Sequence, residues 1–213
     1  MLENELYKQP PAVPTVHLRA APLPGIGLLA VHLYFVVSSG PDIPWERWEV
    51  WQWRNLFRER KNPRQKAYGH LHVNLMHPLS GVGGGPSFMV QTWSGEMAAK
   101  IIAVIHEQAE NYIDRRYWLW PGPNSNTYIA RIINYADVPA SLPGTAIGKD
   151  WDGIFNFKFS LDPFRLICQT PLLGVNISLT DDLELNILGG TLLGINFRFH
   201  ELKFPFCRGI IKL

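Results

Sequence analysis

The sequence predicts a mixed α+β fold in which an antiparallel sheet packs against two helices and an antiparallel β-meander follows. Residues 30–38 form a continuous apolar run, which is typical of a strand buried on both faces. Residues 96–114 repeat apolar side chains at spacings of three and four, which indicates a helix with one apolar face. From residue 154 onward, apolar and polar side chains alternate, as in strands of a meander with one buried face.

The other elements follow from local signals along the chain. Residues 1–14 are polar and proline-rich, and they predict an extended tail. A second helix is predicted to begin near Ser125, with Asn124 as its N-cap residue. The glycine cluster at 81–85 predicts a turn, because no Lys-Ser/Thr pair follows it as in a phosphate loop. Besides residues 30–38, strands are predicted over residues 15–20, 45–53, 68–76 and 87–93.

Composition argues against several classes of protein. The 213 residues carry 20 Lys+Arg against 18 Asp+Glu, and this near balance gives no reason to expect a nucleic-acid partner. The two cysteines form no CxxC motif, so neither a disulfide scaffold nor a zinc site is supported. No signal-peptide pattern and no apolar run of about 18 residues is present. We therefore expect a cytoplasmic protein, or one held peripherally on the cytoplasmic side of a membrane.

Two strings carry the most specific pattern, WLWPGPNSNTY at 118–128 and LPGTAIGKDW at 142–151. Together they resemble an uncharacterised bacterial domain-of-unknown-function family marked by GPNSNT and TAIGKD. That family in turn resembles circularly permuted papain-like hydrolases of the NlpC type. The resemblance implies a permuted papain-like domain over residues 15–151, with the meander at 152–213 packed as part of the same domain.

The resemblance also implies three catalytic positions: His32 on an early strand, Glu49 on the next strand, and Ser125 where a helix begins. A helix N-terminus lowers a thiol's pKa and offers N–H groups to an oxyanion, while a histidine and a carboxylate supply the base and its orientation. Serine departs from this plan because its hydroxyl is too weak an acid for the helix alone to ionise. The alternatives are a first-turn helix serine, a buried structural histidine and an exposed strand glutamate.

Four neighbouring positions are interpreted as structural. Asn124 and Asn126 are expected to stabilise the turn around Ser125, and Lys149 and Asp150 are expected to form a pair. His70 and His72 alternate onto one strand face, but no acidic or cysteine partner lies nearby in the sequence. We therefore expect neither a metal nor a cofactor.

An aromatic and basic segment predicts a partner-binding surface. It contains Trp45, Trp48, Trp51, Trp53, Arg54 and Arg58. Exposed aromatic clusters mark interaction sites, although the same tryptophans could fill a core. The basic stretch at 54–66 could equally be a solvated loop.

Two functions are considered, and we expect the first, because serine stands where the papain-like plan needs a thiol; the second is the alternative. The first is a non-catalytic accessory subunit of a larger protein assembly. Its expected partners are other protein subunits and a peripheral membrane surface, and no nucleic acid is expected to bind. The second is a hydrolase or acyl-transfer enzyme that uses Ser125 and His32 on an amide or ester bond. The second function requires the helix at Ser125 to pack against the strand at 30–38 and bring residues 32 and 125 together.

Overall fold

The computed structural model describes residues 5–52, 64–112, 116–206 and 208–213. Over these residues, two α-helices accompany a six-stranded and a seven-stranded antiparallel sheet, so the fold is mixed α+β and mostly sheet. The first sheet has the order β4-β5-β3-β2-β1-β6. Its strands are β1 (Thr15–Pro22), β2 (Val31–Ser38), β3 (Glu46–Val50), β4 (Lys66–Tyr68), β5 (Leu71–Val73) and β6 (Phe88–Ser94).

Both helices pack on one face of the first sheet. Helix α1 (Glu96–Glu110) and helix α2 (Ser125–Ala136) bury their apolar sides against alternate residues of the strands, as the helical spacing predicts. Strand β2 is buried along its whole length, which the apolar run predicts. The core on this face includes Leu18, Leu33, Phe35, Ile101, Ile105, Ile129 and Ile132.

The opposite face of the first sheet is covered by the chain itself. Residues 5–8 form a turn instead of an extended segment, because Tyr7 packs edge-on against His17 and Trp45 at ring distances of 5.5 and 5.1 Å. The Tyr7 hydroxyl lies 2.9 Å from His17 Nδ1, and Trp45 Nε1 donates to the Gln9 carbonyl at 2.8 Å. The start of the chain is thus bound to its own sheet.

The expectation of an exposed tryptophan surface is wrong for two of the residues that should form it. Trp45 lies under the N-terminal segment, and Trp48 lies in the helix-side core, stacked on Tyr68 at 6.4 Å. Trp51 is partly buried against the His32 ring at 4.9 Å. The remaining members, Trp53, Arg54 and Arg58, lie outside the described residues.

Two strand predictions differ in extent from the structure. Strand β3 ends at Val50 instead of continuing to residue 53. The strand predicted over 68–76 is replaced by the short hairpin of β4 and β5, which turns at Gly69, whose φ of +64° suits glycine.

The second sheet is the predicted antiparallel meander, with each strand paired to its sequence neighbours in the order β13-β12-β11-β10-β9-β8-β7. Its buried face, however, is the polar one. Along β9, Asn176 and Ser178 are buried while Leu173 is exposed, and along β10 Glu184 and Asn186 are buried while Leu185 is exposed. The strands are β7 (Asn156–Leu161), β8 (Phe164–Gln169), β9 (Leu173–Ser178), β10 (Asp182–Ile187), β11 (Gly190–Asn196), β12 (Glu201–Lys203) and β13 (Ile210–Lys212).

An ion-pair cluster explains why the polar face can be buried. Glu184 binds Lys149 and Lys203, each at 2.5 Å, and Lys149 also binds Asp150 at 2.6 Å. Burial opposes the charged form of Lys149, but the Asp150 and Glu184 carboxylates outweigh it and hold the Lys149 pKa above its ordinary value. Burial also opposes the charged form of Glu184 and would by itself raise its pKa, but Lys149 and Lys203 hold the Glu184 pKa below its ordinary value. The predicted Lys149–Asp150 pair is therefore present and extends into the second sheet.

Residues 143–150, which contain the TAIGKD string, form a joint between the two sheets. The Val31 N–H of β2 donates to the Thr145 carbonyl at 3.1 Å. On the other side, the Thr191 N–H donates to the Gly144 carbonyl and the Gly148 N–H donates to the Gly189 carbonyl, both at 2.8 Å. The joint is thus made largely by backbone groups.

Candidate functional site: a histidine–carboxylate pair beside the start of helix α2

Ser125 is the first residue of helix α2, and its position is fixed by a capping box. The Asn124 side chain accepts from the N–H groups of Asn126 and Thr127 at 2.9 and 3.2 Å, and the Thr127 hydroxyl accepts from the Asn124 N–H at 3.1 Å. The prediction of Asn124 as the N-cap residue is confirmed. The Ser125 N–H has no partner among the described residues, so it is a free donor at the positive end of the helix.

Asn126 ties the start of helix α2 to the strand that carries His32. Its Oδ1 accepts from the Leu33 N–H at 2.9 Å, and its Nδ2 donates to the Val31 carbonyl at 3.0 Å. These two backbone groups flank His32 on either side. Nδ2 also donates to the Ile147 carbonyl at 2.9 Å, so one side chain connects α2, β2 and the joint.

His32, Glu49 and Arg47 form a buried chain of charged groups on the face opposite the helices. His32 Nε2 lies 2.9 Å from Glu49 Oε2, and Arg47 donates to the same oxygen at 2.8 Å. Arg47 also donates to the His77 and Ser80 carbonyls, and its guanidinium lies 3.7 Å from the Tyr34 ring centre.

The charge states in this chain follow from its surroundings. Burial lowers the His32 pKa, although Glu49 opposes that shift, so the imidazole is neutral. Burial would raise the Glu49 pKa, but His32 and Arg47 together hold it below its ordinary value, so the group is a carboxylate. A carboxylate only accepts, and His32 Nε2 must therefore carry the proton. The lone pair is left on Nδ1, which has no partner in the described part of the chain.

Ser125 and His32 line the same small cavity, of about 100 Å³. No direct hydrogen bond joins them in the described structure, but a cavity of this volume has room for about three waters. The Ser125 hydroxyl lies 3.5 Å from Asn126 Oδ1. Burial raises the pKa of the neighbouring Tyr117 phenol to about 12, and the Ser125 side chain opposes that shift. Tyr117 is thus neutral and lies beside the serine.

A larger cleft of about 900 Å³ shares part of its lining with this cavity, including His32 and Tyr117. Its rim is apolar, and Trp118 and Leu119 on this rim are more than half exposed. Arg116 and His70 are polar groups of its lining. Arg116 and Tyr117 are not predicted from the sequence, although they immediately precede the motif that contains Ser125.

The structure brings His32, Glu49 and Ser125 together, places Asn124, Asn126 and Trp51 beside them, and separates Lys149 and Asp150 from them. His32, Glu49 and Ser125 form one neighbourhood, and Glu49 is fully buried, unlike the exposed strand residue considered as an alternative. Lys149 and Asp150 belong to the ion-pair cluster of the second sheet. Among the residues described, no group of three or more His, Cys, Asp or Glu side chains is placed to hold a metal ion.

Comparison with known proteins identifies the family of this chain. The model of a family described as protein of unknown function, DUF3750, matches residues 14–151. The chain belongs to this family. The DUF3750 region contains the first sheet, both helices and the whole His32–Glu49–Ser125 neighbourhood, and it ends before the seven-stranded sheet. No curated protein and no solved structure matches the chain significantly. The helices of the described residues, α1 and α2, are 15 and 12 residues long, and neither could span a bilayer.

Proposed function

We propose that this DUF3750 protein is a hydrolase or acyl-transfer enzyme that acts on an amide or ester bond through Ser125. The observation that carries the proposal is the His32–Glu49 hydrogen bond of 2.9 Å, made beside a cavity that His32 shares with Ser125. This pairing leaves the basic nitrogen of a neutral imidazole available near a hydroxyl. The resemblance to permuted papain-like hydrolases assigns the same three positions to catalysis.

Each group has a role in the proposed reaction. Ser125 Oγ attacks the substrate carbonyl while His32 Nδ1 takes its proton, and the Glu49 carboxylate stabilises the resulting imidazolium. The free Ser125 N–H and the Tyr117 hydroxyl can donate to the carbonyl oxygen as it becomes negative. His32 then returns the proton to the leaving group, and an alcohol, an amine or water accepts the acyl group.

The test is covalent labelling of Ser125. A fluorophosphonate should modify the wild-type chain at Ser125, as located by mass spectrometry of the digested protein. The Ser125→Ala variant should not be labelled, and His32→Gln should be labelled at least tenfold more slowly, because it lacks the base. Tyr135→Phe, which changes an exposed residue of the same helix, should be labelled like wild type.

A cysteine at the same position provides a second readout. Ser125→Cys should react with iodoacetamide faster than Cys168, with a rate that titrates below the ordinary thiol pKa of about 8.5, because the helix N-terminus stabilises a thiolate. If the phosphonate leaves Ser125 unmodified and this thiol reacts no faster than an ordinary exposed one, the catalytic proposal is wrong.

A non-catalytic accessory subunit is the second candidate, and the exposed rim beside the cleft favours it. Trp118, Leu119 and Trp120 are consecutive large apolar side chains and all are exposed, as is Leu28. Such a patch fits a protein partner. A photo-crosslinker at position 118 should then join the chain to one cellular protein, whereas a crosslinker at position 135 should not. Phosphonate labelling of Ser125 would contradict the non-catalytic role.

A further inference from the structure

We propose that the outer face of the seven-stranded sheet binds the same face of a second copy of this chain. The outer face is defined here by two rows of side chains that cross the sheet in register. The first row takes one apolar residue from every strand: Phe159, Leu166, Ile177, Leu183, Ile195, Leu202 and Ile211. The second row is Phe157, Cys168, Val175, Leu185 and Leu193.

The outer face is large and uncharged. Ten large apolar residues of this face, in the two rows or two positions from them on the same strand, are between 38% and 74% exposed. They are Phe157, Phe159, Leu161, Leu173, Leu183, Leu185, Ile187, Leu193, Ile195 and Ile211. At roughly 180 Å² for a fully exposed side chain of this size, they present on the order of 900 Å² of apolar surface. Patches on soluble monomers rarely exceed a few hundred Å², whereas a stable interface takes about 800 Å² from each partner.

The charges around the sheet favour a protein occupant over a lipid one. A peripheral membrane surface is normally marked by unpaired lysines and arginines, which attract anionic headgroups. At this sheet, Lys158 is paired with Asp152 at 2.6 Å and Arg198 lies 3.6 Å from Asp181. Arg165 and Lys212 are exposed without an ion pair in the described structure, but they alternate with Leu166 and Ile211 of the first row, so no charged side chain lies on the outer face.

The geometry of the sheet favours a second copy over an unrelated protein. Strand β10 is the central strand of the seven, so a two-fold axis near Leu185 would set the complete rows of one chain against those of the other. Two sheets that pack face to face in this way bury both sets of apolar rows in a layer about 10 Å thick. A face without charges has nothing that would repel its own copy.

Oligomeric state tests the proposal on the full chain. Sedimentation equilibrium at micromolar concentrations should show a dimer for wild type. Leu185→Lys and Leu193→Lys should each raise the dissociation constant at least a hundredfold, because each places an ammonium in the apolar layer. Both residues are well exposed in the single chain, so the variants should keep the wild-type circular dichroism spectrum. The control Tyr135→Lys changes an exposed residue of helix α2 and should dimerise like wild type.

Three outcomes would overturn the inference: a monomeric wild type, an unchanged dissociation constant in both sheet variants, or a monomer that binds vesicles of phosphatidylcholine and phosphatidylglycerol through this face. The inference does not depend on the catalytic proposal. Ser125→Ala should dimerise like wild type, so failure of one proposal can be told apart from failure of the other.

Discussion

Replacing Asn126 with alanine should destabilise the protein by about 3–5 kcal/mol. The Asn126 side chain makes three buried hydrogen bonds, to Leu33 N–H, the Val31 carbonyl and the Ile147 carbonyl, at 2.9–3.0 Å. A typical hydrogen bond contributes about 1 kcal/mol, and a buried group left without its partner costs about 1–3 kcal/mol. For a chain of this length, the melting temperature should fall by about 10 °C.

Urea denaturation followed by circular dichroism measures this loss directly. The matched control is Asn134→Ala on the same helix, whose side chain is exposed and which should change stability by less than about 0.5 kcal/mol. Because Asn126 also holds helix α2 beside His32, Asn126→Ala should slow the phosphonate labelling of Ser125 at temperatures where the variant is still folded. A loss of stability below about 1 kcal/mol would refute the reasoning that Asn126 connects the helix to the strand.

Two further predictions concern buried charge. Glu184→Gln should lower the free energy of unfolding, measured in urea, by about 3–5 kcal/mol, because Lys149 and Lys203 lose their shared carboxylate. The control Lys158→Met removes one member of an exposed pair and should cost less than about 1 kcal/mol. Equal losses in the two variants would refute the prediction. Burial and Arg19 lower the pKa of His17 to about 4, so His17 is neutral in the folded protein near pH 7. Neutral His17 therefore contributes its full stabilisation above about pH 6.5. As the pH falls towards 4, the free energy of unfolding should decrease by up to about 1.4 kcal/mol per pH unit. The difference between wild type and His17→Gln isolates this effect, and a pH-independent difference would contradict it.

The features predicted correctly from the sequence depend on neighbours along the chain. The apolar run at 30–38 predicts a strand buried on both faces, and the spacing at 96–114 predicts a helix with one buried face. The N-cap is also local, because Asn124 accepts hydrogen bonds from residues two and three positions further along the chain. The placement of His32 and Glu49 at one site came from a family resemblance, since nothing local in the sequence shows that two strands bring them within 2.9 Å.

The features that were missed depend on distant segments. Clustered tryptophans are compatible with contact to a partner protein or to the protein's own core. The residue that covers Trp45 is Tyr7, which lies 38 positions earlier in the sequence, so the local pattern does not identify it. Alternation in the meander shows that its two faces differ, but not which face is inside. That choice depends on Lys149, which brings a charge from the joint to Glu184.

The joint at residues 143–150 has a consequence for mutational scanning. Its contacts are made largely by backbone groups, and its glycines have no room for a side chain. A Cβ on Gly148 would lie 2.5 Å from Asn124 Nδ2, and one on Gly144 would lie 2.6 Å from the Phe204 carbonyl oxygen. Under the proposed function, alanine at either position would therefore abolish the proposed activity by displacing the segment that supports Asn124 and Asn126. An activity screen alone would count both glycines as members of the reaction centre, although neither has an atom that could take part in it.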